Sequence, residues 1–351
     1  MHNRIDKLRE KLHDNEAVLI SGYPNIFYYS GFTSEDAYLL ISHDICCIIT
    51  DSRYIIQAKE QAKGFVVMDI KNGFNKVFSQ TNAKYIGYEE NIMSVHEYKR
   101  LRAKLRTNQD LVEMQNIINE QRKIKDADEI KKIAEAEKIG DAAFEYVLKE
   151  IRAGKTEREI ALMIEFFMKK QGASALSFDT IAASGKRSAM PHGVATDKVI
   201  DKGDFLTLDF GCVFEGYCSD MTRTVVVGKA DEHQKEIYNI VLHAQTAAID
   251  AIQEGVKCSA IDAIARDIIK NAGYGDNFGH GLGHSVGIEI HESPSFAPKC
   301  GETVKNGYVM SVEPGIYIDG FGGVRIEDLI SIENGQTVNL THSPKELIEL
   351  K

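Results

Sequence analysis

Residues 203–211, Gly203-Asp-Phe-Leu-Thr-Leu-Asp209-Phe-Gly211, and residues 307–315, Gly307-Tyr-Val-Met-Ser-Val-Glu313-Pro-Gly315, read as two copies of one apolar strand that ends on an acid. Each copy continues alike. Gly216, Asp220 and Gly228 follow the first; Gly320, Glu327 and Gly335 follow the second. The step from first glycine to first acid is 6 in both copies, from that acid to the next glycine 7, and from the last acid to the final glycine 8. Only the stretch before the last acid differs, by 3 residues. The preceding helices repeat as well. Gly154 and Gly172 lie 18 apart, as do Gly255 and Gly273, and a long helical pattern precedes each pair. The later part of the chain therefore reads as two tandem units, about 126–228 and 231–335, each a helix pair followed by strands. Two copies fit a duplicated domain and not a solenoid, which needs three or more.

Within Phe205–Phe210, period-2 alternation puts Thr207 and Asp209 on one face and Leu206, Leu208 and Phe210 on the other. By the same rule Glu313 shares a face with Ser311, Asp220 with Thr222, and Glu327 with Arg325. Four carboxylates at repeated positions are expected to meet at a pseudo-two-fold axis. Buried together without counter-charge, they would bind protons instead of ionising. Two divalent cations balance them. Hard oxygen donors with one imidazole suit Mn, Co, Zn or Fe better than a thiolate site would.

The imidazole is expected from Phe278-Gly-His280-Gly-Leu-Gly-His284-Ser-Val-Gly-Ile-Glu-Ile-His291-Glu292, which holds three histidines in 12 residues. Its glycines let the backbone turn tightly and come close to the site. His192, within Ser188-Ala-Met-Pro-His-Gly193, lies 38 residues after Gly154, and His291 lies 36 after Gly255. By pseudo-symmetry these two should face the cations from opposite sides. His2, His13, His43, His96, His233, His243 and His342 fall in helix-like or terminal segments and receive no role.

The chain has 351 residues, which points to two domains. With 43% hydrophobic and 27% charged residues, it has the composition of a soluble globular protein. A net charge of −10 argues against nucleic acid as the main partner. The charged, amphipathic start, Met1-His-Asn-Arg-Ile-Asp-Lys, has no apolar signal core, and no run approaches a membrane span. A cytoplasmic enzyme is the expectation. Cys46, Cys47, Cys212, Cys218, Cys258 and Cys300 form no C-x-x-C pair and read as free thiols.

Residues 1 to about 122 mix short apolar strands (17–21, 37–42, 45–50, 65–69, 85–88) with helical patterns near 53–63 and 94–106. This reads as an α/β domain without a phosphate loop or dinucleotide fingerprint. The polar stretch Lys123-Ile-Lys-Asp-Ala-Asp128 marks the boundary and opens a long helix ended by Gly154. Thr156 with Glu159 is a capping-box signature for the next helix.

These residues resemble the pita-bread metallopeptidases, which include methionine aminopeptidase, aminopeptidase P and prolidase. The strongest part is the ordered set Asp209, Asp220, His284, Glu313, Glu327, each in its local motif. Asn25-Ile-Phe-Tyr-Tyr-Ser-Gly31 and Asp51-Ser-Arg-Tyr54 look like the N-terminal domain of the proline-specific branch. The resemblance implies an α+β pita-bread catalytic domain with an internal pseudo-two-fold repeat over 123–351, preceded by an α/β creatinase/prolidase-type N-terminal domain over 1–122. It implies two divalent metal ions, Mn or Co foremost, with Zn or Fe alternatives. Asp209 would bind one metal and Asp220 and Glu327 would bridge both. His284 and Glu313 would complete the other shell, and Glu313 would shuttle the proton of the attacking water. His192 and His291 would contact substrate, His280 would lie near its pocket, and Arg325 would orient substrate or a ligand. The implied substrate is a peptide with proline in second position, cut by an Xaa-Pro aminopeptidase or an Xaa-Pro dipeptidase, and the implied assembly is a homodimer. Two other readings are a non-catalytic peptide-binding member and a creatinase-like hydrolase that works without metal. Ser285 departs from the family, which more often has Gly there, with a minor effect expected.

Overall fold

The computed structural model describes residues 2–351; Met1, and with it the start of the charged N-terminal stretch, lies outside the described residues. The chain divides into two compact units, Met1–Arg122 and Lys123–Lys351. No helix among the described residues is long and apolar enough to cross a membrane.

The first unit is a six-stranded mixed sheet in the order Val66–Asp69, Cys46–Thr50, Ala37–Ser42, Glu16–Ile20, Tyr85–Tyr88, Asp110–Glu113. The three strands from Glu16 to Thr50 pair antiparallel, and the outer strands join them in parallel. Ala17, Leu19, Leu40, Ile49, Phe78 and Ile86 are central to its core. The sixth strand, Asp-Leu-Val-Glu, escapes a hydrophobicity scan because it holds only two apolar residues and sits at the sheet edge.

The second unit is built twice over. Helices Ala127–Leu148 and Glu157–Lys170 pack on the sheet of Ile181–Ser184, Phe205–Phe210 and Met221–Val227. Helices Glu232–Asp250 and Cys258–Ile269 pack on the sheet of Gly283–Ser285, Val309–Val312 and Asp328–Glu333. Capping boxes start three of the four helices, at Asp126 with Glu129, Thr156 with Glu159, and Asp231 with Gln234. Each satisfies two of the donors a helix start leaves open. The first helix stops at Leu148, earlier than its glycine implied. Gly154 instead sits in the following turn with φ 94, a conformation that disfavours any side chain.

Leu206, Leu208 and Phe210 face the first helix pair, among Phe144, Ile160 and Ile164. Met310, Val312 and Ile330 face the second, among Ile237, Val241 and Ile261. The opposite, polar faces of these strands are also buried, as Thr207, Asp209, Thr222 and Thr224 show. The alternation therefore separates two interiors, a helix-covered core and a polar site.

One feature lies outside the repeat. The tail folds back onto the first half, where Glu349–Leu350 pairs with Val226 and Val227. The buried Arg223 guanidinium donates to Pro344 O (2.9 Å) and Ser343 O (2.7 Å) and pairs with Asp328 (2.8 Å). A repeat read as ending at 335 did not contain this strap.

Candidate metal centre

All nine residues singled out in the sequence line one cavity of about 850 Å³: His192, Asp209, Asp220, His280, His284, His291, Glu313, Arg325 and Glu327. Asp209, Asp220 and Glu327 are buried at its floor, while His192 and His291 are exposed. The two sheets bring the acids together through the strand ends. Asp209 lies opposite Thr222 in one register, and the backbone N–H of Glu327 donates to Thr222 O across the halves (3.1 Å).

Ligand atoms of Asp220, His284 and Glu327 all lie within 4.8 Å of one another. His284 Nε2 is 3.5 Å from Asp220 Oδ2 and 3.3 Å from Glu313 Oε1. His284 Nδ1 lies 3.3 Å from Ser285 O, so the ring proton sits on Nδ1. Burial holds the imidazole pKa down at about 4. At neutral pH Nε2 thus turns a lone pair toward two carboxylates.

The acids are equally out of balance. Burial and the neighbouring carboxylates push Asp220 and Glu327 well above the usual carboxylate range. Burial raises Asp209 as well, against the pull of Arg325, and raises Glu313 to about 7. Asp209 Oδ1 and Glu327 Oε1 are buried and have no hydrogen-bond partner among the described residues. A buried acceptor left unpaired costs about 1–3 kcal/mol, more if charged. Converging carboxylates, an imidazole lone pair and orphaned oxygens are a donor set that fits hard or borderline divalent cations.

Three other carboxylate oxygens are hydrogen-bonded. Asp209 Oδ2 accepts from Arg325 Nη2, and Glu327 Oε2 accepts from Thr222 Oγ1 (2.7 Å). Ser311 Oγ donates to Glu313 Oε1 (3.2 Å). Arg325 Nη1 also donates to Tyr317 Oη (2.8 Å), which lies 2.9 Å from His280 Nε2. His280 Nδ1 is held by Gly281 O (2.8 Å), so Tyr317 donates to Nε2.

Two participants were missed from the sequence. Tyr317 enters because its strand, Gly315–Ile318, pairs with Gly322–Arg325, and only that hairpin register brings it to Arg325. Glu137 accepts from Asp220 N (3.1 Å) and Thr341 Oγ1 (2.7 Å), and burial pushes its carboxyl up to about 8. Its signal was available: a charged residue on the buried face of a helix, with Ile133, Ala136 and Gly140.

Residues 131–334, more than half of the chain, match the profile of Metallopeptidase family M24. The chain belongs to that family. Residues 4–124 match the Creatinase/Prolidase N-terminal domain. A Xaa-Pro dipeptidase of Pyrococcus furiosus is 39% identical over 352 residues, covering 99% of this chain and 100% of that protein. Among solved structures, a Xaa-Pro dipeptidase from Bacillus anthracis is 41% identical with a TM-score of 0.96, covering 99% of each chain. An X-Pro aminopeptidase from Thermotoga maritima is 37% identical with a TM-score of 0.92, again over 99% of each chain. The M24 membership makes this a metallopeptidase and assigns the pita-bread architecture to the second unit.

Proposed function

We propose that this M24 enzyme removes an N-terminal residue from a following proline, as an Xaa-Pro dipeptidase or aminopeptidase, with two divalent cations. The observation that carries the reading is the carboxylate cluster on the cavity floor, which Arg325 balances only in part, with Asp209 Oδ1 and Glu327 Oε1 unpartnered among the described residues. Asp209, Asp220, His284, Glu313 and Glu327 would hold the cations, with Asp220 and Glu327 shared between them. Bound there, divalent cations supply Lewis acidity, which acidifies water and polarises a carbonyl.

The chain's own groups do the rest. Glu313 would take the proton of the attacking water and pass it toward the departing nitrogen. His192 and His291 flank the opening and orient the peptide, donating to its carbonyl as charge develops. Arg325 fixes Asp209, and through Tyr317 it fixes His280. Phe178, Ile181, Pro191 and Val194 give the cavity an apolar wall for a proline ring. A proline nitrogen is a tertiary amide of restricted shape, which such a wall can select.

The test is turnover of Ala-Pro, Ala-Pro-Pro and Ala-Ala by metal-stripped protein reloaded with Mn, Co or Zn, with metal counted per chain. Cleavage of the proline substrates alone, with two metals bound, is expected. Equal turnover of Ala-Ala, or full activity in the stripped protein, would overturn the reading. The Ala-Pro to Ala-Pro-Pro ratio separates dipeptidase from aminopeptidase.

A further inference from the structure

The two acids read as shared between the cations sit in matching gaps of the fold. Asp220 falls between the strands Tyr217–Cys218 and Met221–Val227, and Glu327 between Gly322–Arg325 and Asp328–Glu333. A residue in such a gap lies outside the ladder, and its buried N–H needs another acceptor. Glu327 N finds the backbone oxygen of Thr222 (3.1 Å). Asp220 N finds a side chain, Oε2 of Glu137 (3.1 Å), on the helix Ala127–Leu148.

Glu137 is fully buried. Gly140 shares its helix face, and a Cβ added there would lie 3.3 Å from Met221 Sδ. The missing side chain lets the helix lie close behind Asp220. Burying a carboxyl group costs far more than burying the apolar residues around it, so its place calls for what its oxygens do.

The second oxygen reaches toward the other half. Thr341 Oγ1 donates to Glu137 Oε1 (2.7 Å) and accepts from Leu329 N (2.8 Å), two residues after Glu327. Leu340 N donates to Leu329 O (2.9 Å). One turn along the helix, Asp141 accepts from His342 N (2.9 Å) and Ser343 N (2.7 Å). The tail segment 340–343 is thus held between the first helix and the strand that follows Glu327.

We propose that Glu137 is a positioning residue that sets the spacing of the two shared acids. One oxygen fixes the Asp220 backbone. The other, through Thr341 of the tail, fixes the strand that follows Glu327. The expected effect on cations rests on the metal reading above; the hydrogen-bond relay does not.

Glu137→Met keeps the length and removes both acceptors. Glu137→Gln keeps an oxygen for Asp220 N and an amide that can donate to Thr341 Oγ1. The readouts on metal-stripped protein are Mn binding by calorimetry and hydrogen exchange at the Asp220 amide, with melting temperature as the check on folding. Glu137→Met should raise the Mn dissociation constants about tenfold or more, the range for groups that orient a ligand, and speed exchange at Asp220. Glu137→Gln should stay near native in both. Thr341→Val should weaken Mn binding and Thr341→Ser should not. Adding Thr341→Val to Glu137→Met should cost little more, because both cut one relay. Native Mn binding and native exchange in Glu137→Met would overturn the proposal. So would a Gln variant that loses as much as the Met variant, since charge and not geometry would then be the cause, or a Thr341→Val variant that binds Mn as the native chain does. A native chain that binds no Mn would instead sink the metal reading, and exchange at Asp220 would still decide the relay.

Discussion

In the first half of the catalytic unit, Glu157 holds the loop that carries His192; in the second, Asp262 holds the loop that carries His280 and His284. Both carboxylates are fully buried or nearly so on the second helix of their pair. Glu157 Oε1 accepts from Ser184 N (2.7 Å) and Oγ (2.9 Å). Its Oε2 accepts from Thr196 N (3.1 Å), Thr196 Oγ1 (2.7 Å) and Arg187 Nη1 (3.1 Å). Asp262 accepts from Leu282 N (3.0 Å) and both arms of Arg266 (2.8 Å each). Arg266 then donates to Phe278 O (3.0 Å) and His280 O (2.7 Å). One frame thus braces two different loops.

The difference lies in what the second half adds. Its loop brings an imidazole, His284, to 3.5 Å from Asp220 and 3.3 Å from Glu313, whereas the first half's His192 lines the same cavity from an exposed position. Its inner hairpin is longer, Gly315–Ile318 with Gly322–Arg325 against Cys212–Phe214 with Tyr217–Cys218. That is where the three-residue difference between the copies falls, and the longer arm carries Arg325. Duplication supplied the acids in pairs, and asymmetric additions made the two sides of the centre unequal.

The largest effects come from breaking the shared pair. Asp220→Ala and Glu327→Ala remove one acid from each half. Both should abolish peptidase activity, well beyond the roughly 10–100-fold that supporting partners of a ligand cost, and lower bound metal. Near-native turnover with two metals in either variant would sink the assignment of both acids to shared positions.

Stability should respond to pH and metal together. In the metal-free chain, burial raises Glu313 and Glu137 to about 7 and about 8, above ordinary carboxylates near 4.3. Folded protein then binds more protons than unfolded protein between those values, so stability falls as pH rises through them. Cations displace the proton of Glu313 and stabilise only the folded state. Melting temperature should drop from pH 5 to 8 without metal and rise on loading, most at pH 8. A flat profile in verified metal-free protein would remove the case for a strained carboxylate cluster.

Much of this was legible from the repeat. Equal spacings paired Asp209 with Glu313 and Asp220 with Glu327, and alternation put them on polar faces, which needs no tertiary knowledge. The braces were not legible. Glu157 in the first turn of its helix and Asp262 just beyond the first turn of its own look like ordinary helix acids, and only the return of a loop some 25 residues later in sequence shows what they hold. Arg325 was found because it shares a strand face with Glu327. Tyr317 was missed because its contact crosses a hairpin whose register the sequence left open.

The braces give the next test of the comparison. Glu157→Gln and Asp262→Asn keep size and remove charge. Each should cost about 10–100-fold in kcat/KM, the range for groups that orient a site. The two should differ in kind. Asp262→Asn should also lower metal affinity, because its loop carries His284. Glu157→Gln should keep full metal content and raise KM, because His192 faces substrate. If both variants lose metal equally, the braces hold the whole fold and not separate loops.

The smallest effects separate two lysine–serine–acid clusters, one in each half. In the second half Lys125 Nζ donates to Ser285 Oγ (2.8 Å) and pairs with Glu292 (3.1 Å), with side chains 1% and 5% exposed. In the first, Lys198 Nζ donates to Ser184 Oγ (2.8 Å) and pairs with Asp204 (2.7 Å), at 28% and 18%. Lys125→Met strands a buried carboxylate that also holds the 288–289 backbone near His291, and should destabilise by about 3–5 kcal/mol. Lys198→Met should cost no more than about 1 kcal/mol, since water screens that pair. Ser285→Gly, the family's commoner residue, removes one hydroxyl that also donates to Val309 O (3.0 Å), but leaves the ion pair. It should cost about 1 kcal/mol. Activity should change little, because His284 N is still held by Ser311 Oγ (3.1 Å). If chemical denaturation instead gives Ser285→Gly the same loss as Lys125→Met, the hydroxyl and not the ion pair carries the second-half cluster.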